Sequence, residues 1–99
     1  MAIEYNLNEN GELAIKISGR FDHSVHEPMR KATLEAEQAK TVLLDLSRST
    51  GIDSSALGMI LILHERLGNN TEALKVKGTI DKVKEVFKLS GVDRFVTFI

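Results

Sequence analysis

From Thr41 to Leu46 the chain reads Thr-Val-Leu-Leu-Asp-Leu, a nearly unbroken apolar run of the kind found in strands buried on both faces. Such a strand belongs in the middle of a sheet. After the polar interval Ser47 to Gly51, which reads as a loop, apolar residues become dense from Asp53-Ser54-Ser55 onward, at Ala56, Leu57, Met59, Ile60, Leu61, Ile62, Leu63 and Leu67. A helix that is apolar nearly all round is itself buried, so this one is expected to pack tightly on the sheet until Gly68-Asn69-Asn70 ends it.

The flanking segments complete an α/β pattern. Ile3, Tyr5 and Leu7 alternate with polar residues, Asn8-Glu9-Asn10-Gly11 follows, and Leu13, Ile15 and Ile17 alternate again before Ser18-Gly19. Period-2 alternation on either side of an Asn-Gly turn predicts an antiparallel hairpin, its second strand closed by Ser18-Gly19. Ser24-Val25-His26-Glu27 has the spacing of a capping box, and Val25, Met29, Ala32 and Ala36 recur at helical spacing up to about Ala39, with Pro28 in or near the first turn. Leu74 and Val76 mark a short strand. Thr79 is placed to cap a third helix carrying Val83, Val86, Phe87 and Ser90 on one face, Gly91 to end it, and Val92 to Ile99 to form a last strand. The predicted order is β-β-α-β-α-β-α-β in one domain over residues 1–99, without internal repeat or linker. Strands joined through helices run parallel with right-handed crossovers, so the sheet is mixed.

Composition narrows the function classes. The chain has 99 residues and 11.0 kDa, with 42% hydrophobic and 27% charged residues, as in a folded globular domain. Lys+Arg 13 against Asp+Glu 14 leaves a formal charge of -1, which argues against a nucleic acid or an anionic membrane as the main partner. There is no Cys, which removes disulfides, thiol catalysis and Cys-based metal sites. The start Met1-Ala2-Ile3-Glu4-Tyr5 lacks the features of an export signal, and the run Met59 to Leu63 is too short to cross a bilayer, so a soluble cytoplasmic protein is expected.

The catalytic inventory is thin. His23, His26 and His64 show no metal-binding spacing, and His64-Glu65-Arg66 reads as the solvated last turn of its helix. Neither a phosphate-binding glycine loop nor a G-x-S-x-G elbow is present. Asp45 and Asp53, at or after the end of a central strand, lack the additional carboxylates that magnesium-assisted phosphorylation of an aspartate needs. No catalytic residue, metal or cofactor is therefore assigned. Asp53-Ser54-Ser55 has two readings: an ordinary helix N-cap, or a serine phosphorylated by a partner, whose charge the N-terminal end of the helix would tolerate.

Val42-Leu43-Leu44-Asp45-Leu46-Ser47, the interval, then Ile52-Asp53-Ser54-Ser55-Ala56-Leu57-Gly58 resembles the hallmark segment of the STAS domain, the family of anti-sigma factor antagonists. Ile17-Ser18-Gly19-Arg20-Phe21-Asp22 is similar to that family's second strand and Gly-x-Leu-Asp turn, and Val86-Phe87-Lys88-Leu89-Ser90-Gly91-Val92 to its third helix and following turn. The resemblance implies a sheet covered by helices and a partner-switching role. The unphosphorylated protein would bind an anti-sigma factor that is also a serine kinase of the histidine-kinase-like ATPase fold, freeing a sigma factor. Phosphorylation at Ser54, or at its neighbour Ser55, would separate the complex, and a PP2C-type phosphatase would reset it. Asp53 would shape the helix start, and Asp22, Ala56 and Leu57 would share the partner-binding surface, with ATP and metal belonging to the kinase. Ala56 stands where the family usually has Gly, placing a methyl group on the presumed docking face. The alternative branch of the resemblance, which shares the stop at Ile99, is a non-phosphorylated STAS subunit of a lipid-transport ABC ATPase complex. The retained Asp-Ser-Ser favours the first.

Overall fold

The computed structural model describes residues 2–99. Strands β1 (Ile3–Leu7) and β2 (Glu12–Phe21) form the antiparallel hairpin, with Leu7 opposite Leu13. Its turn is organised by Asn8, whose Oδ1 accepts from the N–H of Asn10 at 2.9 Å and of Glu12 at 3.0 Å, while Gly11 takes the left-handed position at φ 83°. Strands β3 (Thr41–Ile52), β4 (Leu74–Lys77) and β5 (Thr97–Phe98) add in sequence order, each parallel to the strand before it. Between them lie α1 (His26–Glu35), α2 (Ser54–Arg66) and α3 (Asp81–Ser90). Successive right-handed crossovers that always advance in the same direction place all three helices on the same face of the sheet.

That face carries the core. Leu13, Ile15 and Ile17 of β2, Val42, Leu44 and Leu46 of β3, and Leu74 and Val76 of β4 are buried against Met29, Ala32, Ala56, Ile60, Leu63, Val83 and Phe87 of the helices. Each large side chain removed from water contributes about 1.5–3 kcal/mol, which is what holds three short helices in place. Phe87 also meets Phe98 edge-on at 5.3 Å, anchoring the two-residue β5.

Several expectations from the sequence are corrected. The central strand is buried on one face only: Leu43 and Asp45 alternate with its core residues and are half-exposed, because helices cover a single side. Neither β2 nor β3 stops where its apolar pattern does. Both run on through Ser18-Gly19-Arg20-Phe21 and Ser47 to Ile52, paired with register shifts, and buried Ser49 donates its Oγ hydrogen to the Ile17 carbonyl at 3.1 Å. Ser24 forms no capping box, since the chain first makes a 3-10 turn over His23–Val25 whose cap is Asp22, and α1 gives way to another 3-10 turn at Ala36–Gln38. Helix α2 is not buried all round, as Leu61 and Ile62 face outward at 38% and 52% exposure. Ile80, not Thr79, precedes α3, and a 3-10 turn over Val92–Phe95 replaces most of the expected last strand. His64 is buried rather than solvated, its Nε2 3.2 Å from Thr71 Oγ1 and its ring edge-on to Phe95 at 5.2 Å.

Candidate functional site

The extensions of β2 and β3 bring their ends to one rim. Phe21 lies opposite Ile52, and the Asp53 N–H donates to the Phe21 carbonyl at 3.4 Å, so Asp22 and Asp53 stand at adjacent strand ends. Parallel strands of open α/β sheets place their sites at this edge, because there the backbone leaves the sheet for the helices.

Asp53 is the N-cap of α2: its backbone is extended, its Oδ1 accepts from the Ala56 N–H at 3.1 Å, and its carbonyl accepts from the Leu57 N–H at 3.1 Å. Capping therefore falls to Asp53 and leaves Ser54 and Ser55 free of it. Both are exposed and occupy the first two positions of α2, where backbone N–H groups have no carbonyl partner within the helix and the helix dipole favours negative charge. Ala56 is 0% exposed and Leu57 8% exposed, so the Ala56 methyl group points into the core and both residues seat the start of α2 rather than line its surface.

Asp22 is held by its own turn. Its Oδ1 accepts from the Ser24 N–H at 2.9 Å and the Ser24 hydroxyl at 2.5 Å, while its Oδ2 lies 3.4 Å from Arg20 Nε. These bonds hold its carboxyl below the usual value of 3.8: the Ser24 hydroxyl contributes most, then the Ser24 N–H, with His23 and Arg20 adding a smaller attraction against the opposing effect of burial. A carboxylate with a depressed folded pKa contributes stability above its unfolded pKa and loses it as pH falls through the folded one, so this turn loosens only below about pH 4. Carboxyl-detected NMR titration of Ser24→Ala is expected to move the Asp22 midpoint up toward 3.8, and an unmoved midpoint would show that Ser24 does not hold it.

Arg20 was not singled out from the sequence. Its guanidinium crosses the end of β3 at Gly51, where an added Cβ would lie 3.0 Å from Nη1. The one legible signal was the glycine facing it across the β2–β3 pair. The other candidates lie elsewhere. His23 is exposed in the turn directly after Asp22 and His26 at the first residue of α1, His64 sits at the far end of α2, and the extension of β3 leaves Asp45 in mid-strand. Among the described residues no group of three His, Asp or Glu side chains is placed to hold a metal ion, and no helix is long and apolar enough to cross a membrane. Chemically, the rim offers an exposed hydroxyl at a helix N-terminus beside two fixed carboxylates.

Residues 6–97 match the family described as "Mlab, STAS domain". A STAS-domain containing protein of Pseudomonas aeruginosa (strain UCBPP-PA14) is 32% identical over 84 residues, which are 84% of this chain and 83% of that protein. In fold the chain is similar to unphosphorylated SpoIIAA, an anti-sigma factor antagonist, with TM-score 0.77 and 18% identity over 99% of this chain and 87% of that one. It is also similar to an anti-sigma factor antagonist from Mycobacterium paratuberculosis, with TM-score 0.79 and 18% identity over 97% and 82% of the two chains. At these identities the likeness to the solved structures is one of fold.

Proposed function

The chain belongs to the STAS-domain family, and on that premise we propose that it is a cytoplasmic anti-sigma factor antagonist, one domain over residues 1–99, that switches partners by phosphorylation of Ser54. Unphosphorylated, it binds an anti-sigma factor that is also a serine kinase of the histidine-kinase-like ATPase fold, and a sigma factor is freed. Phosphorylated, it is released until a PP2C-type phosphatase resets it. The chain is the substrate of this cycle and not an enzyme; ATP and metal are bound by the kinase.

The observation that carries the reading is the exposed Ser54 hydroxyl directly after a cap that Asp53 supplies. Because Ser54 is not needed to start the helix, a phosphate on it leaves the fold standing. It adds about two negative charges where unpaired N–H groups and the helix dipole accept them. Only the surface charge changes, becoming more negative beside Asp22 and Asp53, and a partner fitted to a neutral hydroxyl then meets both charge and bulk. Asp53 and Ser55 on either side of Ser54, with Asp22 at the adjacent strand end, form the contact surface with it, while buried Ala56 and Leu57 seat the start of α2. The reading is further supported by SpoIIAA, a protein of the same fold whose structure is known in both unphosphorylated and phosphorylated forms.

Affinity capture from a lysate of the source organism with wild-type and Ser54→Asp baits side by side tests it. The expected result is a small ATPase-fold serine kinase retained by wild type and not by Ser54→Asp. Equal retention of a transporter ATPase by both baits would replace the switch with a structural-subunit role.

A further inference from the structure

The face of the sheet opposite the helices has a regular pattern of its own. Strand pairing sets Glu4 beside Lys16, Lys16 beside Asp45 and Asp45 beside Lys77, so one row across β1 to β4 alternates negative, positive, negative, positive. The adjacent row on the same face runs Asn6, Ala14, Leu43, Lys75 by the same pairing. The residues of both rows are exposed or half-exposed, and all but Lys75 line a shallow depression. Burial acts to raise the Asp45 carboxyl, but hydrogen bonds from Ser47 and the charges of Lys77 and Lys16 outweigh it and hold the group below its usual range, so Asp45 keeps its negative charge within the row. The ion pairs among the described residues lie elsewhere, at Arg20–Asp22, Arg30–Glu27 and Arg66–Glu37.

An alternating row of this length is complementary to itself when reversed. We propose that this face is the interface of a homodimer, in which a second copy of the chain docks about a two-fold axis parallel to the strands and midway between β2 and β3. The rotation reverses each row. Glu4 then meets Lys77 of the second copy and Lys16 meets its Asp45, with the same contacts repeated in the other direction. In the adjacent row the small Ala14 meets Leu43 of the second copy, and the Asn6 amide meets its Lys75. A two-fold axis across the strands does worse, since an axis through the charged row stacks Glu4 on Glu4, and one between the rows stacks Lys77 on Lys75. The contact is mostly polar, and exposed ion pairs are weakened by salt, so the dimer is salt-sensitive. Strand direction is the same in both copies, so the two Ser54 rims emerge at one end. Ser54, at the start of α2, is not among the residues of this face, so the dimer leaves the proposed partner surface uncovered and does not depend on the proposed phosphorylation.

Sedimentation of the full chain over a range of concentrations, at low and high salt, tests it. Wild type is expected to dimerise reversibly, more weakly as salt rises. Lys16→Glu alone and Asp45→Lys alone each place two like-charge pairs in the homodimer and should weaken association by roughly tenfold or more. Mixed in equal amounts, the two variants regain every unlike pair and should form a heterodimer at near wild-type strength. Thermal melts check that both variants fold, and Glu4→Lys with Lys77→Glu repeats the same test at the outer pair if either does not. A wild type that stays monomeric throughout, an association constant unchanged in the single variants, or a mixture no stronger than its components would each overturn the proposal; the first would leave the face to a different protein.

Discussion

Ser54→Asp is expected to weaken binding of the proposed kinase partner by on the order of ten- to a hundredfold in calorimetry, and phosphoserine at the same position by more. The estimate follows from the site's construction. The aspartate brings one charge where phosphate brings about two, and an unmatched charge facing a docked partner costs on the order of 1.4–3 kcal/mol, with each 1.4 kcal/mol equal to a factor of ten. Because Asp53 and not Ser54 accepts the capping hydrogen bond from the Ala56 N–H, the substitution leaves α2 in place, and stability should change by no more than about 0.5 kcal/mol. Ser54→Ala is expected to bind like wild type and to take up no phosphate. Equal affinity of wild type and Ser54→Asp would exclude a charge switch at this position, and full phosphorylation of Ser54→Ala would move the switch to Ser55 or beyond.

The start of α2 could be read from the chain because its decisive contacts are local. Asp53 reaches the Ala56 N–H three residues ahead, and Gly91 ends α3 within its own turn at φ 82°, so short windows of sequence contain the whole interaction. The same holds for the hairpin, where alternation fixes which residues of β1 and β2 face the core. What was misread depends on distant partners. Ser47 to Gly51 has the composition of a loop, yet it is strand, because Ser18 to Phe21 lies alongside it and Ser49 hydrogen-bonds across to Ile17. Tertiary pairing overrides local propensity there. His64 is buried because Thr71 and Phe95 arrive from elsewhere in the chain, and Leu61 and Ile62 are exposed because successive crossovers stack every helix on one side, leaving α2 with an outer surface. Asp22 takes the capping role that the spacing assigned to Ser24, whose hydroxyl and N–H both donate back to the Asp22 carboxylate.

Gly78→Ala should be among the most destabilising single substitutions in the chain, and it tests the centre of the sheet rather than the rim. Gly78 follows β4 at φ 75°, and a Cβ there would lie 2.6 Å from Ser47 Cβ, 2.8 Å from Ser47 Cα and 2.9 Å from Ser47 N. Two of these are backbone atoms of β3 and have no rotamer to yield into. They also sit beside the pair Asp45 and Lys77, where β3 and β4 are joined, so relief requires moving one strand away from the other. Left-handed strain of about 1–2 kcal/mol and overpacking of about 1–3 kcal/mol then act together. The sum, about 2–5 kcal/mol, is a large part of the 5–15 kcal/mol typical of a domain and corresponds to a fall in melting temperature of roughly 8–40 °C. Gly68→Ala separates the two contributions, because Gly68 has a similar φ of 74° but nothing within 4 Å of its added Cβ. It should lose only the strain, about 1–2 kcal/mol. If the two variants melt together, the close approach of Gly78 to Ser47 is not what fixes β4 against β3; if Gly78→Ala melts well below Gly68→Ala, the glycine is there because the neighbouring strand leaves no room for any other residue.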